Sequence, residues 1–355
     1  MTAPLRILYF GLNAPDKSMR DVPYIAGLKR LGATFEVCYD TSRGFRKYFA
    51  LMKKMLPLRG QFDVVWVGHS SALAVPLIRL LTRKPIVFNA LCPQYDGNVV
   101  DRGTYSPLSP YAIFIWCIDF VSLNAAHALL LETDAQIENV RRTFFVPRRK
   151  MHRVFTTVDP ALYHPDPSIQ KENACTCVFR AWVTRATGAE YILDAARILK
   201  GSGVNFRFIV RGPMVPEIEA RVAGEKLSHV QVLTGFHETG DLNRLILSGH
   251  IYLGQFSDHI RTSRTIQFKT VEALAYGLPY ITADLPSNRE LLTDKKECLF
   301  VKPRSAEDLA EKILMLKNDS VFAARLAKAG HELYQKKLTP DVLANQILSI
   351  IRGLV

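Results

Sequence analysis

The sequence lacks an apolar run long enough to cross a bilayer, for which about 20 residues are needed. Its best candidate, residues 111–131, is interrupted by Asp119. The N-terminal residues lead directly into an apolar, strand-like segment, without the ordered basic and apolar regions of a signal peptide. The sequence therefore predicts neither a spanning helix nor a secretion signal.

Cysteine is scarce, and the six residues are scattered at positions 38, 92, 117, 175, 177 and 298. Cys175 and Cys177 form a short pair, but no His or Cys pair stands at a spacing suited to complete a metal site. Cys in apolar, strand-like surroundings is usually buried, so we expect reduced thiols and no metal. Reduced thiols indicate a cytoplasmic location.

Acidic residues are outnumbered, since 46 Lys and Arg stand against 33 Asp and Glu, giving a formal net charge of +13. Such a surface attracts nucleotide phosphates, anionic lipid head groups or nucleic acid. A transferase acting on nucleic acid would show a basic stripe with interleaved aromatic residues. The sequence shows no clear stripe, so we expect no nucleic-acid partner.

Strand-like and helix-like segments alternate along both halves of the chain. Short runs rich in β-branched and aromatic residues are separated by helical patterns, and the alternation restarts after a polar, proline-containing linker at 163–174. Strands that alternate with helices form parallel sheets covered on both faces. In the first half the strand-like runs are 6–11, 34–40, 63–69 and 85–91.

The length of 355 residues exceeds a single ordinary core and suits two domains. We therefore predict an α/β chain of two doubly wound, Rossmann-like domains that face each other across a cleft. The predicted domains are residues 1–165 and 166–340, and a C-terminal helix at 341–355 packs back toward the first domain.

One stretch, residues 263–291, combines cations and carboxylates around a short predicted helix. Arg264 and Lys269 precede or open the helix, and Glu272 follows one turn later. Gly277 suits the position after its last turn, and Pro279 prevents its continuation. A helix N-terminus with two cations suits a diphosphate, and a carboxylate can bind a vicinal diol such as ribose. Alternatively, these are solvated charges that complement the helix dipole.

The ordered motifs around this helix resemble the donor site of GT-B glycosyltransferases, specifically the retaining group 1 enzymes of family 4. The matching segments are "LGQFSD" (253–258), "KTVEALAYGLPYIT" (269–282) and "NRELL" (288–292). The similarity covers most of the chain and is strongest from about residue 120 onward.

The resemblance implies roles for individual residues. Glu272 would bind the ribose hydroxyls of a nucleotide diphosphate sugar, and Arg264 and Lys269 would neutralise its diphosphate. Glu290 would lie near the nucleotide or the sugar, and Gly212 would pass under the base or phosphate. The nucleotide sugar would be a co-substrate, with no cofactor and no metal required.

The sequence also departs from the family pattern. Many members carry Glu eight positions before the helix glutamate, where this chain has Arg264. In the loop 179–188 an alanine replaces the usual glycine, and Thr187 replaces Lys or His. Arg180 and Arg185 lie close enough in sequence to supply the missing cation. These changes would mark an altered donor or a weakened catalyst.

The N-terminal half offers candidates for the acceptor side. Gly11 suits a tight turn after the first strand, and Arg20 resembles an arginine of the family's acceptor cleft. His69 ends a strand, where it would touch the sugar or be a packed histidine. Asp96, in a loop beyond a strand end, would help to deprotonate the acceptor hydroxyl. With Arg264, His69 and Asp96 form the predicted catalytic set.

Residues 43–60 combine an apolar side with a basic side and contain no acid. On a helix, Phe45 and Phe49 fall on the apolar side, and Lys53 and Lys54 on the other. Such a helix fits an anionic membrane surface. The alternative is an ordinary amphipathic helix that packs on its own sheet.

The sequence thus predicts a metal-independent hexosyl- or related transferase, cytoplasmic and peripheral on the inner face of the membrane. It would transfer a sugar with retention to a glycan or lipid-linked acceptor, in cell-surface polysaccharide or glycoconjugate biosynthesis. The alternative is a GT-B-shaped binding or scaffolding subunit with little catalysis.

Overall fold

The computed structural model describes residues 4–42, 44, 46–69 and 71–355. The chain folds into two units, an N-terminal unit of residues 1–157 with 338–355 and a C-terminal unit of residues 158–337. The sequence places these boundaries at 165/166 and 340/341. Within the described residues, no helix is both long and apolar enough to cross a membrane.

Each unit contains one six-stranded sheet, and every pair of neighbouring strands is parallel. The N-terminal strands are β1 Arg6–Gly11, β2 Thr34–Tyr39, β3 Val64–Val67, β4 Ile86–Leu91, β5 Ala128–Leu131 and β6 Met151–Arg153. The C-terminal strands are β7 Cys175–Trp182, β8 Val204–Arg211, β9 Val230–Leu233, β10 Ile251–Leu253, β11 Tyr280–Ala283 and β12 Leu299–Val301.

Helices connect the strands in both units. Those of the N-terminal half are α1 Asp21–Arg30, α2 Arg46–Met55, α3 Ala74–Leu81, α4 Pro110–Ala125 and α5 Asp134–Phe144. The C-terminal unit has α6 Ala189–Ile198, α7 Val215–Gly224, α8 Thr239–Leu247, α9 Phe268–Tyr276, α10 Pro286–Arg289, α11 Ala306–Asn318 and α12 Ser320–Lys337. The last helix, α13 Pro340–Arg352, belongs to the N-terminal unit.

The N-terminal sheet is covered on both faces, because parallel strands need helices on either side. Leu51 of α2, Ile78 of α3 and Leu123 of α4 share one buried apolar cluster. Tyr24 of α1 and Ile347 of α13 belong to a cluster on the other face. This arrangement confirms the predicted doubly wound α/β architecture.

Glycine allows α1 and α13 to pack closely. A Cβ on Gly27 would lie 2.5 Å from the carbonyl oxygen of Pro340 and 2.8 Å from the Cβ of Ala344. Both distances are shorter than non-bonded atoms tolerate, so residue 27 must lack a side chain for the last helix to close this core.

Candidate functional site

The order of strands in the C-terminal sheet locates its candidate site. The order is β12-β11-β10-β7-β8-β9, so the chain builds outward in opposite directions from the neighbouring strands β7 and β10. In open α/β sheets, ligands bind beyond the carboxyl ends of the strands at this switch point. A ligand site is therefore expected at the end of β7, the end of β10 and the start of the following helix α9.

The helix α9 begins without a side-chain cap. Gln267 precedes it in an extended conformation and makes no side-chain capping hydrogen bond. The first turn of a helix carries N–H groups without intrahelical partners and the positive end of the helix dipole. At the other end, Gly277 has φ 63°, the left-handed conformation that its position after the last turn predicts.

Glu272 is buried and occupied by protein partners. Its side chain is 1% exposed; Oε1 pairs with the guanidinium of Arg180, and Oε2 accepts a hydrogen bond from the Tyr252 hydroxyl at 2.9 Å. Burial, reinforced by the charge of Glu272, raises the pKa of Tyr252 well above its ordinary value. The resemblance identified Glu272, while no pattern in the sequence pointed to Tyr252, because its role depends on pairing across the sheet.

Lys269 lies one turn earlier and is buried without a hydrogen-bond partner. Among the described residues no group accepts a hydrogen bond from its Nζ, which lies 4.4 Å from the ring centre of Phe179. Burial lowers the pKa of Lys269 to about 7, although the charge of Glu272 opposes this shift. Unsatisfied buried polar groups are rare in folded proteins and costly, so this amine marks a place suited to an anionic ligand.

A tyrosine from the predicted linker also reaches this cluster. Tyr163 packs against α9, with its ring 5.6 Å from that of Tyr276 and 6.1 Å from that of Phe268. Burial, together with the charge of Glu272, raises the pKa of Tyr163, while Arg180 lowers it. The sequence gives Tyr163 no role beyond the linker, because the residues that its ring contacts are far away in sequence.

The other predicted donor residues differ in how far they are buried. Arg264 is half-buried in a turn, where its backbone N–H bonds the carbonyl of Arg261 at 3.0 Å. Glu290 is half-buried at the end of α10, and Arg185 is exposed.

Gly212 follows β8 and has a structural reason to be glycine. Its φ is 119°, and a Cβ there would lie 2.7 Å from the carbonyl oxygen of Val183. The loop after β7 thus passes directly against the end of β8. Within that loop Thr187 is buried and donates its hydroxyl to the carbonyl of Thr184 at 2.6 Å. The altered loop is internally bonded, and its threonine is turned inward.

The N-terminal sheet has its own switch point, between β1 and β3. Arg20 lies here but is only 4% exposed. It donates from Nε to Asn89 at 2.8 Å, from Nη1 to Thr156 at 2.7 Å and from Nη2 to the carbonyl of Val154 at 3.0 Å. Gly11 ends β1, where a Cβ would lie 2.9 Å from the ring of Tyr9. The acceptor roles of Arg20 and Gly11 stay predictions, and the structure gives both residues a part in the scaffold.

Asp21 is the centre of this buried network, although the sequence did not single it out. Its Oδ1 accepts from Trp66 Nε1 at 3.0 Å and from Asn89 Nδ2 at 2.6 Å, and its Oδ2 accepts from the backbone N–H of His69 at 2.9 Å. Burial, followed by the charge of Arg20, lowers the pKa of His69, which favours the neutral ring. A neutral histidine can accept a proton, so the predicted role of His69 is chemically consistent with this position.

Asp96 opens a π-helical turn, Asp96–Asp101. Its Oδ2 accepts hydrogen bonds from Gln136 at 3.1 Å and from Asn139 at 2.6 Å, and the side chain is 9% exposed. Asp119 lies nearby and is also buried. Its burial, opposed by backbone N–H groups and aided by the charge of Asp96, raises its pKa to about 7.

The helix α2 packs on its own unit. Leu51 and Met55 are buried in the apolar cluster beneath it, whereas Phe49 is 72% exposed. Lys53 is exposed, and Lys54 pairs with Asp40 at 2.9 Å. Phe45 lies outside the described residues. The structure thus shows that α2 covers its own sheet, and its membrane contact stays a prediction.

Residues 172–319 match the model of the family described as glycosyl transferases group 1. The matched region, here called the group 1 region, is therefore similar to that family. The group 1 region contains Arg180, Lys269 and Glu272, so the buried cluster at the switch point lies inside it. Within the described residues no group of three or more His, Cys, Asp or Glu side chains is arranged to hold a metal ion.

Among curated proteins, the putative colanic acid biosynthesis glycosyltransferase WcaL of Escherichia coli K12 is 22% identical over 216 residues. The match covers 59% of this chain and 52% of the relative, so the chain spans about half of the relative's length.

Solved structures extend the likeness to the whole fold. Anabaena HepE in complex with UDP superposes with a TM-score of 0.76 at 14% identity, covering 99% of this chain and 100% of that one. Sucrose-phosphate synthase from Thermosynechococcus elongatus gives a TM-score of 0.74 at 13% identity, with 99% of each chain covered. At these identities the likeness shows the fold, which is GT-B. The group 1 region therefore lies within a GT-B fold.

Proposed function

We propose that this protein is a retaining glycosyltransferase that uses a nucleoside diphosphate sugar. The observation that carries the proposal is the buried amine of Lys269, which has no hydrogen-bond partner among the described residues and lies at the uncapped start of α9 within the group 1 region. A diphosphate would supply the missing acceptors and would meet the positive end of the helix.

The chemistry of transfer fits these residues. The departing nucleoside diphosphate gains negative charge, and fixed cations and helix N–H groups stabilise that charge in the transition state. Lys269 and Arg180 would bind the diphosphate, and Glu272 would accept hydrogen bonds from the ribose diol. Because Glu272 is now paired with Arg180 and Tyr252, ribose binding requires its carboxylate to exchange at least one of these partners.

The donor, the acceptor and the setting follow from analogy. HepE shares this fold and was solved in complex with UDP and with UDP-glucose, so uracil nucleotides are the first donors to test. We propose a glycan or lipid-linked acceptor, deprotonated with the help of Asp96, transfer without a metal ion, and a role in cell-surface polysaccharide or glycoconjugate biosynthesis at the inner face of the cytoplasmic membrane.

A panel of nucleoside diphosphates in a thermal unfolding assay tests the donor site. One nucleotide should stabilise the folded protein, because a ligand at 100 times its Kd adds about 2.7 kcal/mol. Lys269→Met and Glu272→Gln should lose this response. Lys328→Met is the matched control, because Lys328 is 79% exposed and lies on α12.

A second function requires a test because Glu272 already has two protein partners. A carboxylate satisfied by Arg180 and Tyr252 would also fit a GT-B-shaped binding or scaffolding subunit. Incubation with radiolabelled UDP-sugars separates the two functions. Slow release of UDP that requires Lys269 supports the transferase, whereas nucleotide binding without any release over days supports the binding subunit.

A further inference from the structure

The helix α4 is unusual because its solvent-facing side has no charge. Asp119 is the one charged residue in its sequence, and it is 1% exposed. The Asp119 carboxylate accepts a hydrogen bond from the backbone N–H of Tyr95 at 2.7 Å. Surface helices normally present charged residues to water. The solvent-facing side of α4 therefore offers only uncharged side chains to a partner.

The outer side of α4 is not only uncharged but apolar. Large side chains are half or more exposed at Tyr111, 51%, Ile113, 53%, and Phe114, 56%, and Val121 is 47% exposed. Leu108, just before the helix, is 88% exposed, and Cys117 is the exposed cysteine of the six. The five helix residues lie on one side of α4 by their helical spacing and, together with Leu108, are here named the α4 face. Apolar patches of this kind on a folded protein mark an interaction site.

Cations flank the end of α4. Arg79 of α3 lies 3.2 Å from His127, which follows the helix, and Lys150 donates to the carbonyl of Asn124 at 2.6 Å. Arg83 and Arg149 are exposed close by in sequence. The three neighbouring helices α2, α3 and α4 contain a single acidic residue, the buried Asp119.

We propose that the α4 face docks on the surface of an anionic lipid bilayer. The apolar side chains would enter the interfacial region, and the cations at its border would bind lipid phosphates. Each Lys or Arg near such a surface strengthens the attraction to anionic lipid. The ring of Tyr111 lies 4.5 Å from that of Tyr105. Tyrosine suits the boundary between the apolar layer and water, because its ring is apolar and its hydroxyl is polar.

Charge favours a bilayer over a second copy of this chain. A two-fold interface would bring the same cations of both copies close together, and like charges that face each other oppose association. The formal net charge of +13 adds to that repulsion and to the attraction toward anionic lipid. The inference does not depend on the proposed transferase activity.

The proposal differs from the membrane contact predicted for α2. The side of α2 that holds Leu51 and Met55 faces the protein core. By contrast, the α4 face has no protein covering it in the described chain, as its exposed fractions show. Phe49 and Lys53 of α2, and Leu56 just after this helix, would add to the contact.

Flotation with vesicles tests the proposal on the full chain. The wild type should float with vesicles of phosphatidylcholine and phosphatidylglycerol, and at least tenfold less with phosphatidylcholine alone. Ile113→Ser/Phe114→Ser should reduce flotation at least tenfold. The matched control is Ile198→Ser/Val321→Ser, which removes two exposed apolar residues, 48% and 80% exposed, from the C-terminal unit and should change nothing.

Charge reversal tests the border of the face. Arg83→Glu/Arg149→Glu should lower flotation more than Lys328→Glu/Lys336→Glu, which changes the net charge equally at exposed sites of α12. An equal loss in both pairs would mean diffuse attraction and overturn the proposal. So would a wild type that sediments as a dimer, dissociates on Ile113→Ser/Phe114→Ser and binds no vesicles.

Cys117 provides a readout without substitution. It lies in the middle of the α4 face, whereas the other cysteines are buried or half-buried. Its alkylation by a charged maleimide should slow at least fivefold when anionic vesicles are added and remain unchanged with neutral vesicles. An unaltered rate on vesicles that carry the bound protein would place the contact elsewhere and overturn the proposal.

Discussion

The two sheets of this protein each have a switch point with buried charged side chains, but these side chains differ in their hydrogen bonding. At the N-terminal one, Asp21 accepts hydrogen bonds from Trp66, Asn89 and the backbone of His69. At the C-terminal one, Glu272 is paired, but the amine of Lys269 beside it has no hydrogen-bond partner among the described groups.

This difference separates a scaffold from a ligand site. A buried carboxylate whose two oxygens both accept hydrogen bonds, as in Asp21, stabilises one conformation, and removing it leaves its partners unpaired. A buried amine without a hydrogen-bond partner weakens the empty protein and gains most when an anion binds. Substitutions in the Asp21 network should therefore cause large losses of stability, whereas substitution of Lys269 should cause a small gain.

The largest effect is expected at the N-terminal network. Asp21→Ala should lower the free energy of unfolding by about 3–5 kcal/mol, because it leaves the buried donors of Trp66 and Asn89 unpaired. Urea denaturation followed by tryptophan fluorescence measures it. Asp16→Ala, at an exposed acid in the same region, is the control. Equal, small changes in both variants would contradict the scaffold interpretation.

The ion pair of the C-terminal site should come next. Arg180→Met leaves the buried carboxylate of Glu272 with Tyr252 alone and should lower the free energy of unfolding by about 3 kcal/mol. Arg180→Met/Glu272→Gln should recover part of that loss, because the uncompensated charge is gone. A double-mutant cycle from denaturation curves gives the coupling, and additive losses would show that the pair is not energetically linked.

Lys269→Met should have the opposite sign. Removing a buried amine without a hydrogen-bond partner should raise the free energy of unfolding of the empty protein by about 1 kcal/mol. The pKa of Lys269 falls from 10.5 to about 7 on folding, so the folded state binds fewer protons between these values. The penalty is full below pH 7 and disappears above about pH 10.5, and the advantage of the Met variant should shrink across that window. A destabilised variant at pH 7 would reject the idea of a strained amine.

Nucleotide affinity should depend on pH through the same amine. An anion favours the protonated form, so binding above pH 7 takes up a proton, and affinity should fall by up to about tenfold per pH unit. Calorimetry in buffers of different ionisation enthalpy measures the uptake. Lys269→Arg stays protonated and should flatten the profile above pH 7. A flat wild-type profile would disconnect Lys269 from the ligand.

The smallest effect is expected at Arg185, which is exposed. Arg185→Ala should change the free energy of unfolding by less than about 0.5 kcal/mol. If Arg185 supplies the cation missing from the altered loop, nucleotide affinity should drop about threefold, as for an exposed charge pair. Unchanged affinity would leave it a solvated surface cation.

The fold could be predicted from the sequence because its signals are local. The run 6–11 is rich in apolar residues and forms β1 with the predicted bounds, and the run 34–40 forms β2 over Thr34–Tyr39. Gly277 ends α9, as its own identity and the following Pro279 predict. Parallel sheets follow once strands and helices alternate.

The partners in the site could not be predicted in the same way. Arg180 meets Glu272 across 92 positions, and Asn89 meets Arg20 across 69. Only the sheet order brings such residues together. Tyr252 and Asp21 were missed for this reason, since neither carries a local pattern that reveals its role.

The tight seam between α1 and α13 has a consequence for biosynthesis. Because α13 completes the core of the N-terminal unit, that unit cannot close on the ribosome until the entire C-terminal unit has been translated. Until then α1 covers this face of the sheet without α13, and a nascent chain stalled before Pro340 would expose apolar residues of the face to chaperones.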